Sequence, residues 1–241
     1  NKGFYNFNPD FLIFEADTNQ YKKKQFDLFL RLKNEVPTKA IIPYKISKIN
    51  VYAKYNSQDS TVTDVTRFNE KNYINSANYF KPKHLDPFII LEEGQLYSPE
   101  DSRNTSRRLS TIGAYKFVNI QYKEKDSLQT DSLAFLEANI YLSPLNKRAI
   151  RAELQAVTKS NSFAGPGLAV TYSNRNLFNG GETLNTTARV GYEVQLGSGS
   201  NSGNTSIDLG LKSELIFPRV IFPIKIDTDF FEYDIPKTVW V

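Results

Sequence analysis

The sequence predicts an α+β domain with the order β-α-α-β-β, followed by the first antiparallel strands of a transmembrane β-barrel. Three observations support this fold class. Residues 149–218 contain four long segments in which apolar and polar residues alternate with a period of two, as in strands that have two different faces. A clearly punctuated helix begins near Ser98. No apolar run approaches the roughly 20 residues that a membrane-spanning helix needs.

The third alternating segment, residues 183–196, is the most regular of the four. Strands in soluble proteins are usually about 5 or 6 residues long, whereas a tilted strand that crosses a bilayer needs about 9 to 11. The length of this segment therefore indicates a membrane. One of its two faces is apolar and consists of Leu184, Thr186, Ala188, Val190, Tyr192, Val194 and Leu196.

The opposite face of these segments carries full charges and small residues. In the fourth segment, Asp208, Lys212 and Glu214 alternate with apolar residues, which suits lipid on one side and a wet lumen on the other. Only a closed barrel keeps every backbone donor and acceptor of a sheet paired inside hydrocarbon. A soluble antiparallel sheet with one solvated face remains the alternative on alternation alone.

Composition narrows the functional classes. The chain has 241 residues, no cysteine and a formal net charge of +4, so thiol catalysis, thiolate metal sites and disulfides are excluded. Its tightest basic run, Lys22 to Lys24, is typical of a solvated turn and does not indicate nucleic-acid binding. The only histidine, His84, has no catalytic pattern around it. We expect no enzymatic activity and no cofactor or metal.

The two ends of the sequence suggest a piece of a longer protein. Residues 4–14 and 26–32 are apolar runs joined by a polar stretch, which predicts a β-hairpin that completes a preceding domain. The chain begins at Asn1 without a leader, and Thr238 to Val241 are typical of the start of another strand. We therefore expect a fragment.

The middle block predicts two helices and three strands. Ser98 can cap a helix, with Pro99 at its first position and Asp101 three residues after the cap, and Gly113 is expected to end it. A shorter helix is predicted over residues 83–91, and strands over 46–55, 115–122 and 133–142. The polar stretch 56–79 is predicted to be a surface loop.

These residues resemble a polypeptide-transport-associated (POTRA) domain followed by the start of a barrel of the BamA/TamA family of outer-membrane assembly proteins. The POTRA resemblance rests on Gly94-Gln95-Leu96-Tyr97-Ser98-Pro99-Glu100-Asp101 and on Ile112-Gly113-Ala114-Tyr115-Lys116-Phe117-Val118-Asn119-Ile120. The barrel resemblance rests on Gly165-Pro166-Gly167 and on Asn174-Arg175-Asn176-Leu177-Phe178-Asn179-Gly180-Gly181-Glu182.

The resemblance implies three units. Residues 1–43 would hold the C-terminal hairpin of a preceding POTRA domain, 44–146 the last POTRA domain with an insertion at 56–80, and 147–241 the first four to five barrel strands. The Arg-bearing motif of a late extracellular loop in this family is absent, and so are about twelve of the roughly sixteen strands of such a barrel.

Connection lengths give a topology prediction. If the first barrel strand runs outward, the extracellular connections should be longer than the periplasmic ones. Residues 159–167 and 197–205 are therefore predicted to be long connections, with a tight turn at 179–181 between them. The stretch 219–236 is longer than a periplasmic turn should be, and the sequence gives no physical account of it.

The resemblance implies that the whole protein inserts nascent β-barrel proteins into the bacterial outer membrane, with its POTRA domains in the periplasm. The implied partners are unfolded barrel precursors, accessory outer-membrane lipoproteins or periplasmic chaperones, and outer-membrane lipid, with no nucleic acid. A secretion pore of the same superfamily is the alternative, and a soluble β-sheet binding module is a more distant one.

Two strands are implied to contact the client protein. The first barrel strand, residues 149–158, would be the seam that pairs with it, although an ordinary barrel strand of small residues fits the same pattern. Its residues are Ile150, Arg151, Ala152, Glu153, Leu154, Gln155, Ala156 and Val157. In the POTRA domain, strand 133–142 or strand 46–55 would add a client segment to a sheet edge, and the residues named for this edge are Phe135, Glu137, Asn139 and Tyr141.

Overall fold

The computed structural model describes residues 2–17, 27–56, 64–75, 79–125, 132–160, 162–196, 203–222, 231 and 235–241. Within these residues the strands form three sheets: a two-stranded hairpin, a mixed five-stranded sheet and an antiparallel five-stranded sheet. Among the described residues, no helix has the length and apolar character needed to cross a bilayer.

The N-terminal hairpin pairs β1 (Leu12–Asp17) with β2 (Asp27–Leu32) in antiparallel register. This confirms the predicted hairpin, but the first strand begins later than its apolar run. The reason is Pro9, which opens a 3₁₀ turn capped by the side chain of Asn8. Exposed apolar side chains include Phe14 and Leu30, which lie opposite each other.

The mixed sheet has the strand order β4-β5-β3-β7-β6. Its central strand β3 runs parallel to both neighbours, β5 and β7, and the two outer pairs are antiparallel. The strands are β3 (Tyr44–Tyr52), β4 (Val65–Phe68), β5 (Lys71–Ile74), β6 (Tyr115–Glu124) and β7 (Ala134–Pro144).

The prediction of a surface loop at 56–79 is wrong for residues 65–74. Strands β4 and β5 form a hairpin there, and β5 joins β3 in the sheet. The turn between them places Asn69 and Glu70 at φ of 44° and 59°, a left-handed conformation that suits a two-residue hairpin loop. Tyr73 is fully buried and donates a hydrogen bond to Asp86 at 2.7 Å. Residues 57–63 and 76–78 of this stretch lie outside the described part of the chain.

The helices are α1 (Thr38–Ile41), α2 (Pro82–Leu85) and α3 (Pro99–Ser110). The predicted cap of α3 is confirmed, because the Ser98 side chain accepts a hydrogen bond from the Asp101 N–H at 3.2 Å. The shorter predicted helix ends early, with a 3₁₀ turn at Asp86–Phe88 after α2. Pro87 explains this, since its ring clashes with an α-helical carbonyl one turn before it.

The core of the α+β domain lies between the mixed sheet and α3. Apolar side chains of the sheet strands pack there against those of the helices and the 3₁₀ turn. Burying each large aliphatic or aromatic side chain contributes about 1.5–3 kcal/mol. The largest fully buried members include Ile49, Phe80, Phe88, Leu91, Leu109, Ile112 and Ile140.

The antiparallel sheet has the order β12-β11-β10-β9-β8, so consecutive strands are neighbours. The predicted opening of another strand at Thr238 is confirmed by β12, which pairs with the end of β11. The strands are β8 (Arg148–Thr158), β9 (Phe163–Arg175), β10 (Thr183–Gln195), β11 (Thr205–Phe217) and β12 (Thr238–Trp240).

The predicted alternation of connection lengths is wrong at its first two positions. Only residues 159–162 connect β8 to β9, whereas residues 176–182 connect β9 to β10. Gly165, Pro166 and Gly167 do not form a loop but lie within β9. A Cβ atom on Gly165 would lie 1.8 Å from the Tyr192 carbonyl oxygen, so this glycine permits a close backbone approach inside the sheet.

Candidate functional site

Strands β8–β11 present an apolar outer face. The register aligns Leu154, Leu168, Val190 and Leu209 in one row across the four strands. The side chains at the two ends of this row are largely exposed, 87% for Leu154 and 75% for Leu209. Such a contiguous apolar surface marks a contact with lipid or with another protein surface.

The inner face of the same strands is polar and internally hydrogen-bonded. Thr171 and Thr187 share a hydrogen bond at 2.9 Å, and Arg189 and Asp208 form an ion pair at 2.7 Å. Near the β8–β9 connection, Lys159 pairs with the buried Glu193 at 2.7 Å. Because cross-strand partners satisfy these groups, the inner face suits contact with water and not a second apolar core.

The predicted seam strand lies at an edge of the sheet. All eight predicted residues, from Ile150 to Val157, belong to β8, and among the described residues β8 pairs only with β9. Ile150 and Leu154 point to the apolar face, and Arg151 and Glu153 form an ion pair on the other face. The structure thus places these residues on one edge strand, and pairing with a client stays a prediction.

The predicted edge in the α+β domain is wrong. Phe135, Glu137, Asn139 and Tyr141 belong to β7, an interior strand between β3 and β6. The alternative strand, residues 46–55, is also interior because its segment β3 lies between β5 and β7. Strand β7 is interior because β3 and β6 pair with its two sides, and β3 is interior because β5, within the stretch predicted to be a loop, pairs with its other side. In the described sheet, β4 and β6 are the edge strands.

The misplaced residues instead share the face of the sheet opposite α3. The Asn50 side-chain amide donates to Glu137 at 2.6 Å and to Asn139 at 3.0 Å. The Tyr141 ring stacks on Tyr52 with a centroid distance of 4.8 Å. These side chains satisfy each other across β3 and β7, so they hold the sheet together.

Residues 176–182 form a joint between the α+β domain and the antiparallel sheet, which no pattern in the sequence predicted. The Asn176 side-chain amide donates to the Tyr79 carbonyl at 2.5 Å, and the Lys81 N–H donates to the Asn179 carbonyl at 2.8 Å. A polar cavity of about 450 Å³ separates the end of α3 from the inner face, and it is lined by Thr111, Gly113, Arg151, Thr187 and Lys237, among others. The α+β domain therefore contacts one end of the sheet at this connection and faces its inner side across the cavity.

His84 lies at this joint. A Cβ atom on Gly180 would lie 3.0 Å from its ring, so the histidine is in close contact with the β9–β10 connection. Burial, followed by the positive charges of Arg219 and Lys83, lowers the pKa of His84 to about 4, against a smaller opposing effect of Glu182. The imidazole is therefore neutral at neutral pH, and its protonation at lower pH destabilises the joint.

A BamA and a CdiB are among the solved structures that the chain resembles. No protein-family model and no curated protein matches it. BamA from Haemophilus ducreyi lacking POTRA domains 1–3 matches at 12% identity and a TM-score of 0.36, over 86% of this chain and 37% of that one. CdiB from Acinetobacter baumannii matches at 9% identity and a TM-score of 0.38, over 89% of this chain and 32% of that one.

The chain thus spans well under half of each matched structure. At these low TM-scores and identities, neither likeness assigns a family or a function to it.

Replacing Gly165 by Ala should disrupt the antiparallel sheet, because the added methyl group would meet the backbone of β10 and not a flexible side chain. Overpacking of this kind costs about 1–3 kcal/mol or more. Gly210→Ala is the matched control, since its Cβ atom would have no neighbour closer than 3.9 Å. Guanidinium denaturation of the folded protein measures the stability of both variants. Equal stability of the two variants would contradict the close approach.

Acid should weaken the joint through His84. The unfolded chain protonates this residue near pH 6.5 and the folded chain only near pH 4, so its contribution to stability is lost progressively as pH falls through that window. Thermal unfolding midpoints of the wild type and of His84→Asn, measured from pH 7 to pH 4, test this. The wild type should lose more than the variant, and parallel pH profiles would refute the prediction.

Proposed function

We propose that the chain belongs to an outer-membrane assembly protein of the BamA/TamA type, in which β8–β11 cross the outer membrane and the α+β domain is a periplasmic POTRA domain. One observation supports this most. Four adjacent strands of 11 or 13 residues have an exposed apolar face and a hydrogen-bonded polar face, and the outermost of them leaves one edge unpaired within the described residues.

The membrane assignment follows from length and faces together. At about 3.3 Å per residue, strands of this length can span a hydrocarbon layer of about 30 Å when tilted. The row from Leu154 to Leu209 would face lipid, and the Arg189–Asp208 pair would face the lumen. In water the same outer face would leave Ile150, Leu154, Ile207, Leu209 and Leu211 exposed at 69–87%.

The POTRA assignment rests on topology and on the place of the domain. Strand β3, helices α2 and α3, and then β6 and β7 follow the β-α-α-β-β order, with these two helices on one face of a mixed sheet. The β4–β5 hairpin is an addition to that order. The domain packs against one end of β9–β11, as a periplasmic domain next to a barrel would.

The proposed mechanism is strand pairing without a nucleotide. On the edge of β8 that faces away from β9, the backbone N–H and C=O groups could pair with the terminal strand of an unfolded barrel precursor. The precursor would gain partners for its backbone groups and lipid for its apolar face, and this gain supplies the energy. Less side-chain bulk at Ala152 and Ala156 fits a seam that opens, since small side chains give weaker cross-strand packing.

A second contact with the precursor is proposed for the domain edge. With β7 in the interior, the edge strand β6 replaces it as the strand to which an extended client segment could add. Phe117 on this strand is 61% exposed and offers an apolar contact. Periplasmic chaperones, or lipoproteins of the outer membrane, are the further proposed partners.

A secretion pore is the second candidate, and the polar inner face favours it, because charged pairs such as Arg189–Asp208 suit a water-filled path for an exported protein. Depletion of the whole protein in cells separates the two functions. Broad loss of outer-membrane barrels supports insertion, whereas loss of a single secreted protein supports export.

An arginine on the outer face should destabilise insertion into a bilayer. Leu209→Arg near the middle of the apolar band should cost about 2–4 kcal/mol. Gln155→Arg is the control, because this inner-face residue lies beside Gly167, in the row that includes Asp208. Refolding of the whole protein into phosphatidylcholine vesicles under a denaturant titration measures both variants. Equal penalties would argue that the outer face does not contact lipid.

Cysteine crosslinking tests the role of β8. The 241 residues contain no cysteine, so Ala152→Cys and Glu153→Cys provide single sites on the two faces of the strand. We expect each to crosslink to cysteines scanned along the terminal strand of a client barrel, in one preferred register. Ala188→Cys in β10 is the control, since both edges of that strand are already paired. Absence of any β8 crosslink would exclude the seam role.

A further inference from the structure

Glu182 is a buried carboxylate at the end of the β9–β10 connection. Its side chain is only 1% exposed and accepts three hydrogen bonds. The Phe178 and Gly180 N–H groups donate at 3.3 and 3.0 Å, and the Arg219 guanidinium donates at 2.6 Å. A buried charge with this many partners stabilises one conformation of its surroundings.

Arg219 ties this connection to the residues that follow β11. Its guanidinium also donates to the Gly180 carbonyl at 2.8 Å and lies 5.6 Å from the centre of the Phe217 ring. Burial raises the pKa of Glu182, but the hydrogen bonds from Arg219 and from backbone N–H groups outweigh it and lower the pKa below its ordinary value. The carboxylate is therefore charged and held.

At Gly181 the connection organised by this pair packs tightly against the core of the α+β domain. Gly181 has a φ of +85°, and a Cβ atom there would lie 2.9 Å from Ile112 Cγ2 and 3.2 Å from Phe80 Cζ. Both neighbours belong to the hydrophobic core of the domain. A small displacement of the connection would thus separate the two surfaces or collide with that core.

We propose that Glu182 and Arg219 are positioning residues that hold the α+β domain in one orientation against the adjoining end of β9–β11. We call this pair the pin. They act through the backbone of residues 178–181, which makes the direct contacts with Phe80, Lys81 and Ile112. Without the carboxylate, the half-buried Arg219 loses its counter-charge and the Phe178 and Gly180 N–H groups lose their charged acceptor, so the connection must rearrange.

This inference rests on the proposed function, for which it implies a fixed distance between two strand edges. With the pin in place, the β6 edge of the domain and the β8 edge of the sheet belong to one rigid unit. A client segment held at β6 is then presented to β8 at a constant distance. Loss of the pin should leave both edges intact but let their separation vary.

Distance measurements on the whole protein in phosphatidylcholine vesicles test the pin. Spin labels at Arg103→Cys on α3 and Thr158→Cys at the end of β8 report the orientation of the domain, since both positions are exposed. The unsubstituted background should give one narrow distance distribution. With Glu182→Gln we expect it to become at least about twofold wider or to split, as for a released hinge.

Asp208→Asn is the matched control. It also removes a carboxylate from an arginine ion pair, but that pair, Arg189–Asp208, lies within the sheet and far from the joint. Its distribution should stay narrow. If Glu182→Gln does not fold, Arg219→Lys replaces it, since lysine keeps the charge but loses the second planar donor. An unchanged width in the folded variant overturns the proposal.

A precursor-assembly assay on the same variants separates the pin from the proposed function. A wider distribution with slower assembly supports both the pin and its use. A wider distribution with full assembly retains the pin and overturns its role in presenting the client. If even the unsubstituted protein assembles no precursor, the proposed function fails, and the distance distributions still decide whether the pin exists.

Discussion

The register of β9 against its two neighbours is the constraint on which the rest of the antiparallel sheet depends. Side chains alternate strictly along a strand, so a slip by one residue would move every apolar side chain to the polar face. Gly165 allows β9 and β10 to approach closely, and Lys159 pairs with Glu193 beside it. These contacts fix the register at one end of the strands, and the joint fixes it at the other.

The joint connects the α+β domain and the antiparallel sheet. Residues 176–182 are long enough to leave the plane of the sheet, and they reach Tyr79 and Lys81 of the α+β domain. Polar contacts alone would leave this surface hydrated, but Ile235 is buried in the same hydrophobic core as Leu109. The domain therefore also has an apolar contact with the segment that leads into β12, which a loose linker would not provide.

The sequence allowed the strands and the capped helix to be predicted because both follow local rules. The alternation predicted the bounds of β8, β10 and β11 to within a few residues, and Ser98 predicted the start of α3. Gly165 and Gly167 were misassigned, because a glycine pair looks the same in a turn and in a strand where backbones approach. The buried partners of Glu182 were unpredictable, since Arg219 is distant in sequence and contacts it only after β10 and β11 have paired.

Which strands form the edges of the mixed sheet depends on the order of strands in the sheet and not on local side-chain patterns. Polar residues of the 56–79 stretch hid the hairpin β4–β5, and a single parallel pairing of β5 with β3 then removed β3 from the edge. The pairing of β6 with β7 did the same on the other side. Side-chain patterns reveal which face of a strand is buried, but the backbone groups that a partner strand could use depend on neighbours far along the chain. For a protein proposed to act by strand pairing, these unpaired backbone groups define the site. The site can therefore be identified only when the order of strands in the sheet is known.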